Sequence, residues 1–152
     1  MIPTLILRVL STIRTFDVRA LLMGGQACVL YGAAEFSRDL DLAILASPEA
    51  LPKFAAAMSA MNACVIAVPD FEARYLERGH AVHFSVPDAT AAPLRVDIIG
   101  QFRGVPRVES LWERRTTSAL PVPGSSPMAA DREYWNPLRR ELEALRFEAR
   151  RR

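Results

Sequence analysis

Hydrophobic residues recur with a helical period in several parts of the chain. Between residues 3 and 16 they stand at positions 5, 6, 9, 10 and 13, which lie on one face of a helix. Ser47 followed by Pro48 is typical of a helix start, with Ser47 as the N-cap. The pattern predicts helices over residues 3–16, 26–34, 47–62, 71–78, 104–117 and 131–152.

Shorter apolar runs between these helices predict five strands. Residues 80–86 alternate, which puts Val82, Phe84 and Val86 on one face. A turn-rich loop, residues 87–93, joins this run to the next as a hairpin. The strands are expected at residues 19–23, 39–45, 64–68, 80–86 and 94–99.

Helices and strands mixed in this order predict a single domain of the α+β class. We expect a short twisted mixed β-sheet packed with helices. Residues 1–120 form the expected core. A Pro-, Gly- and Ser-rich breaker, Pro121–Pro127, follows it, and residues 121–152 are expected to pack on the same domain as linker and C-terminal helix.

Composition narrows the class of protein. The chain has 152 residues, of which 51% are hydrophobic, so it is expected to be globular. A formal net charge of +2 does not demand a nucleic-acid partner. No apolar run is long enough to span a bilayer, and the N-terminus lacks a signal-peptide pattern. We therefore expect no membrane association and a cytoplasmic location.

The cysteines and histidines suggest no metal site or disulfide framework of their own. Cys28 and Cys64 are both expected to be small buried hydrophobes. His80 and His83 fall on opposite faces of their strand and cannot chelate one ion together. Both are expected to be structural, with a place for His83 near a cleft left open.

The most informative chemistry is a pair of acids at the start of a strand. Asp39 and Asp41 are separated by one apolar residue, so their side chains point to the same side. Two carboxylates placed together repel each other, and a divalent cation removes that repulsion. The pair predicts half of a site for Mg²⁺ or Mn²⁺, although an isolated pair of this kind is also typical of surface acids.

Two further features extend this candidate site. Asp97 is the one acid of the strand 94–99, and it completes a three-carboxylate cluster if that strand lies beside the first. Upstream, the apolar run 21–23 ends in Gly24 and Gly25, where the backbone can approach a ligand closely. Taken alone, Asp97 could be a strand-end acid and the two glycines a plain turn.

In this order, the motifs resemble the nucleotidyltransferase superfamily, also called polymerase-beta-like. Met23-Gly24-Gly25 resembles its glycine motif, thirteen residues separate that motif from Asp39, and a later strand carries Asp97. The chain looks most like the small bacterial members, including the AbiEii-type toxins. The resemblance covers roughly residues 15–120.

The resemblance implies a fold, a reaction and residue roles. It implies the nucleotidyltransferase fold, with Asp39, Asp41 and Asp97 as catalytic and metal-binding acids. Gly24, Gly25, Ser37 and Arg38 are then the nucleotide-binding residues beside the triphosphate. Arg38 could equally pair with Glu35 or Asp39. Arg95, on the same strand face as Asp97, could steady that acid or meet the nucleotide.

The implied activity is Mg²⁺- or Mn²⁺-dependent transfer of a nucleoside monophosphate from an NTP to an acceptor hydroxyl. The implied acceptors are tRNA, a protein side chain or a small molecule, and a toxin role implies an antitoxin partner. An alternative is a nucleotide-binding or regulatory protein with little turnover, because the C-terminal region looks short and Lys53 is the only lysine. A third possibility is a metal-dependent phosphohydrolase that needs no acceptor.

Overall fold

The computed structural model of the chain describes residues 4–34, 36–102, 104 and 107–117. Within these residues five helices and five strands are formed, and they confirm the α+β class. In chain order they are α1 (Thr4–Thr15), β1 (Ala20–Met23), α2 (Gly24–Leu30), β2 (Leu40–Ile44), α3 (Ala50–Ala60), β3 (Cys64–Val65), α4 (Ala73–Glu77), β4 (Ala81–Val86), β5 (Leu94–Ile99) and α5 (Val108–Glu113).

The strands form one mixed sheet in the order β1-β2-β5-β4-β3. Strands β2 and β5 are parallel, whereas the other three pairs are antiparallel. The hairpin predicted between residues 80–86 and 94–99 is confirmed as the antiparallel pair of β4 and β5. The parallel pair brings together two segments that lie more than fifty positions apart in the sequence.

One face of the sheet is apolar and carries the core. The alternating residues of β2, β4 and β5 that face it are almost fully buried, and Val82, Phe84 and Val86 are among them as predicted. Helices α1 and α3 contribute Val9 and Phe54 to the same cluster. Each large aliphatic side chain buried here stabilises the fold by roughly 1.5–3 kcal/mol.

Several predicted elements differ in length from those observed. Helix α2 begins at Gly24 rather than at residue 26, and ends at Leu30. Strand β3 ends at Val65, and beyond it the side chains of Ile66 and Val68 are exposed. Helix α3 begins at Ala50, yet the Ala50 N–H donates to Ser47 Oγ over 3.1 Å, so Ser47 does cap the preceding turn.

The C-terminal predictions are only partly covered. Helix α5 spans Val108–Glu113, which is shorter than the predicted 104–117. The predicted linker Pro121–Pro127 and the helix 131–152 lie outside the described residues. Among the helices that are described, none is long and apolar enough to cross a membrane.

The prediction of two buried cysteines is wrong. Cys28 and Cys64 are both free and exposed. Cys28 lies on α2, whose buried side chains are Gln26 and Val29, and Cys64 lies on the edge strand β3, which has a neighbour on one side only. Their apolar sequence surroundings therefore did not indicate the direction of their side chains.

Candidate functional site

A row of side chains crosses the sheet on the face opposite the core. Met23, Asp41, Asp97 and His83 are register partners from β1, β2, β5 and β4 in turn. Register partners point to the same face, and neighbouring strands lie about 4.8 Å apart. We call this side of the sheet, with Asp41, His83, Arg95 and Asp97, the polar face. Two of the three predicted acids therefore stand side by side.

The ionisation of Asp41 reflects its neighbours. Partial burial raises the pKa of Asp41, and the negative charges of Asp97 and then Asp39 raise it further. A hydrogen bond from the Gly25 backbone and the positive charge of Arg95 oppose this rise without cancelling it. The charges of the other two predicted acids therefore make ionisation of Asp41 less favourable.

The two glycines allow close packing at this point. Gly24 has a φ of +62°, and a Cβ at this position would collide with Asp41 Oδ2 and lie 2.8 Å from Asp41 Cγ. A Cβ on Gly25 would collide with Ser37 Oγ. The groups that approach these glycines closely are the side chains of Asp41 and Ser37. That a ligand approaches them stays a prediction.

A buried glutamine holds the segment that leads into β2. Gln26 is 1% exposed, and its Nε2 donates to the Ser37 carbonyl over 2.9 Å. Ser37 Oγ in turn donates to the Asp39 carbonyl over 3.2 Å. Within the described residues, Gln26 Oε1 has no hydrogen-bond partner. Sequence reasoning missed Gln26, although a polar residue directly after the two glycines of an otherwise apolar helix was an available signal.

Asp97 already has two partners on one oxygen. Arg95 Nε donates to Asp97 Oδ1 over 2.8 Å, and His83 Nδ1 lies 2.8 Å from the same atom. Arg95 Nη2 is also 3.1 Å from His83 Nδ1, which closes a triangle of three side chains. The expectation that Arg95 could steady Asp97 is confirmed. His83 was expected to be structural, and its contact with Asp97 was not predicted, because that contact depends on the register between β4 and β5.

The remaining predicted residues lie at the entrance of β2. Asp39 and Arg38 are both exposed in the bend before that strand, and Ser37 is half-buried. The charge of Asp39 helps to raise the pKa of Asp41. No hydrogen bond or ion pair within the described residues ties Arg38 to Asp39, and Glu35, its other expected partner, lies outside those residues.

The carboxylates of the polar face suit a divalent cation chemically, but in their present positions they do not form a complete binding site. Carboxylate oxygens are the ligands that Mg²⁺ and Mn²⁺ prefer, and a cation would relieve the repulsion on Asp41. One of these donors, Asp41, lies against the Gly24 backbone. In the part of the chain that is described, however, no three acids, histidines or cysteines form a ready set of ligands. Asp97 Oδ1 is engaged by Arg95 and His83 instead.

A cavity of about 660 Å³ lies along the edge strand β1, on the side of α2 and α5. Met23, Ala27, Phe102 and Trp112 are among the residues that line it. Arg115 stacks on Trp112, with its guanidinium carbon 4.2 Å from the ring centroid. None of the seven predicted site residues lines this cavity.

Comparisons with protein families, with curated proteins and with solved structures found no match for this chain.

Proposed function

We propose that this protein is a nucleotidyltransferase that uses Mg²⁺ or Mn²⁺ to transfer a nucleoside monophosphate from an NTP to an acceptor hydroxyl. The observation that carries the proposal is the register pairing of Asp41 with Asp97 on the parallel strands β2 and β5. Two acids far apart in sequence are thereby neighbours on one face, with the Gly24 backbone packed against one of them.

The sheet also supports the nucleotidyltransferase fold as part of this proposal. The two glycines follow β1, the acid pair enters β2, and the third acid lies on β5. Strand β2 stands between β1 and β5 in the sheet. All three motifs of the resemblance therefore lie on β2 or on a strand beside it, although they are spread over more than seventy positions of sequence.

The residues have distinct roles in the proposed reaction. Asp39 and Asp41 would hold the divalent cations and, through them, the triphosphate. Asp97 would hold the catalytic cation and take up the proton of the acceptor hydroxyl. Bound cations supply charge neutralisation of the phosphates and a more acidic acceptor. Gly24, Gly25, Ser37 and Arg38 would face the triphosphate.

The bond changes balance without a further reactant. The acceptor oxygen forms a bond to the α-phosphorus, and the bond from that phosphorus to the oxygen bridging to the β-phosphate breaks. Pyrophosphate leaves with the electron pair of that bond. The acceptor proton passes to Asp97 and from there to solvent.

The acceptor and the biological role rest on the resemblance alone. It favours tRNA, a protein side chain or a small hydroxylated molecule as acceptor. A role as the toxin of a toxin–antitoxin pair, with an antitoxin protein as partner, belongs to the same proposal. Each of these acceptors would attack the phosphorus with a hydroxyl, and the proposed site on the polar face would serve this step for any of them.

A second candidate is a protein that binds nucleotides on the same face without turnover. Two observations favour it: Asp97 Oδ1 is engaged by Arg95 and His83, and the described residues hold no ready set of three ligands. In this alternative, the Asp97 side chain stays on Arg95 and the phosphates are held without a cation at that oxygen.

Label transfer separates the two candidates. The protein is incubated with Mg²⁺ and each α-labelled NTP, with and without total tRNA, beside Asp41→Asn and Asp97→Asn. Asp70→Asn, an exposed aspartate outside the polar face, is the matched control. Transfer by the wild type and the control that both site variants lack by at least a hundredfold supports the enzyme.

Other outcomes have distinct meanings. Nucleotide binding without transfer to any acceptor favours the second candidate. Release of phosphate or pyrophosphate with no acceptor present indicates a phosphohydrolase. Transfer that survives in Asp97→Asn contradicts the role given to that acid.

A further inference from the structure

Arg95 holds one of the proposed metal ligands from the same strand. It lies two positions before Asp97 on β5, so both side chains project from the polar face of the sheet. Its Nε donates to Asp97 Oδ1 over 2.8 Å. The Asp97 side chain is 17% exposed, whereas that of Arg95 is 46% exposed. Asp97 is therefore fixed in position, while the long Arg95 side chain has solvent to move into.

The three side chains that meet at Asp97 Oδ1 cannot all form favourable hydrogen bonds with one another. His83 Nδ1 is 2.8 Å from Asp97 Oδ1 and 3.1 Å from Arg95 Nη2. If Nδ1 carries a proton, it donates to Asp97 and turns an N–H toward the N–H of Arg95. If Nδ1 has a lone pair, it accepts from Arg95 and faces the carboxylate with that lone pair. One side of the triangle is unfavourable in either tautomer, which weakens the hold of Arg95.

Arg95 also places a positive charge beside the acids. Its Nε is 2.8 Å from Asp97 Oδ1, and Asp97 is the register partner of Asp41 on the neighbouring strand. The guanidinium therefore lies at the cluster that we assign to a divalent cation. The Arg95 guanidinium and a divalent cation cannot both occupy that position, because the two positive charges would repel each other.

We propose that Arg95 is a displaceable gate on the metal site. In the metal-free protein its guanidinium blocks Asp97 Oδ1, and a divalent cation binds that oxygen only when the Arg95 side chain swings off into solvent. This inference rests on the metal site of the proposed function and adds a step that controls it. Metal affinity is then set by competition between Arg95 and the cation for a single carboxylate oxygen.

Metal affinity without any nucleotide tests the gate. Mn²⁺ binding to the full chain is measured by calorimetry for the wild type, Arg95→Gln and Asp97→Asn. Arg74→Gln is the matched control, because Arg74 makes an exposed ion pair of 2.9 Å with Glu72, two positions away, on a helix that packs on the core side. We expect Arg95→Gln to bind Mn²⁺ about tenfold more tightly, which corresponds to about 1.4 kcal/mol. Arg74→Gln should equal the wild type, and Asp97→Asn should lose binding.

Release of the side chain is observed directly by NMR. The Arg95 Nε–H resonance of the wild type is assigned by its absence from the Arg95→Lys spectrum. The gate predicts that saturating Mg²⁺ moves this resonance to the position of solvent-exposed arginines. A resonance that stays in place while Mg²⁺ binds would show that Arg95 acts through its charge alone, and the gate would be wrong.

The remaining outcomes also decide the question. Equal Mn²⁺ affinity in wild type and Arg95→Gln contradicts the gate, and so does the absence of Mn²⁺ binding in both. Tighter Mn²⁺ binding by Arg95→Gln, together with no label transfer to any acceptor, would support the gate and contradict the transferase activity. The gate and the proposed function can therefore fail separately.

Discussion

Asp41 and Asp97 are register partners on two neighbouring parallel strands, 56 positions apart in the sequence. Both carboxylates leave the sheet on the same side, and the negative charge of Asp97 helps to raise the pKa of Asp41. An arrangement that places like charges together lowers the stability of a fold unless something compensates. Here Arg95 supplies part of the compensation, and the proposed cation would supply the rest.

Removing the charge of Asp41 should stabilise the metal-free protein. Burial and the charges of two acids raise the pKa of Asp41 in the folded state. Ionised Asp41 therefore destabilises the fold above that raised pKa, and the effect vanishes below the unfolded value of about 3.9. We expect Asp41→Asn to be more stable near neutral pH, by less than about 1 kcal/mol because the site is open to solvent.

Thermal unfolding in the presence of a chelator checks this prediction at two pH values. The gain from Asp41→Asn should be present near pH 7 and should shrink as the pH falls toward about 4. The exposed Asp70→Asn is the control and should change the Tm little at either pH. A lower Tm for Asp41→Asn near neutral pH would mean that Asp41 is well compensated without a cation.

Gly24 should tolerate alanine less well than another glycine of similar conformation. Gly24 and Gly104 have φ values of +62° and +73°, so alanine strains the backbone at both. A Cβ at Gly104 meets nothing within 4 Å, whereas one at Gly24 collides with Asp41 Oδ2. We expect Gly104→Ala to be destabilised by about 1 kcal/mol and Gly24→Ala by roughly 2–4 kcal/mol.

Urea unfolding of the two glycine variants measures the difference. The backbone contribution is common to both, so the excess in Gly24→Ala reports the contact with Asp41. A combined Gly24→Ala and Asp41→Gly variant should recover part of that excess, because the colliding carboxylate is gone. Equal destabilisation of the two single variants would show that Asp41 moves aside freely.

Gln26 should hold the segment before β2 in place. Its Nε2 donates to the Ser37 carbonyl, and Gln26→Met removes that donor while it keeps the length of the side chain. We expect a loss of about 0.5–1.5 kcal/mol, the usual net value of one hydrogen bond. Faster amide hydrogen exchange at residues 37–39 should accompany it, with the exposed Gln101→Met as control. Unchanged exchange in that segment would assign the loss to helix α2 itself.

The sequence predicted the framework of the site because its motifs are local. Alternation in residues 80–86 and the turn-rich loop before the apolar run 94–99 predicted the hairpin, and an acid pair at the start of an apolar run predicted the entrance of β2. That Asp97 would lie beside Asp41 was an inference from the resemblance and from the chemistry of the acids. The pairing of β2 with β5 agrees with it.

The parts that the sequence did not predict depend on contacts between distant segments. His83 contacts Asp97 only through the register of β4 on β5, which alternation does not specify. Helix α2 begins two residues earlier than predicted, and its first two residues, Gly24 and Gly25, lie against the side chains of Asp41 and Ser37 from a later segment. The length of β3 and the exposure of Cys64 follow from its place at the sheet edge.

The most direct test of the account is a crystal structure with Mn²⁺ and a non-hydrolysable NTP. We expect an anomalous peak about 2.1 Å from a carboxylate oxygen of both Asp41 and Asp97, with Arg95 withdrawn from Asp97 Oδ1. A structure in which the nucleotide is bound while Asp97 stays on Arg95 and His83, with no cation between the two acids, would contradict the central claim.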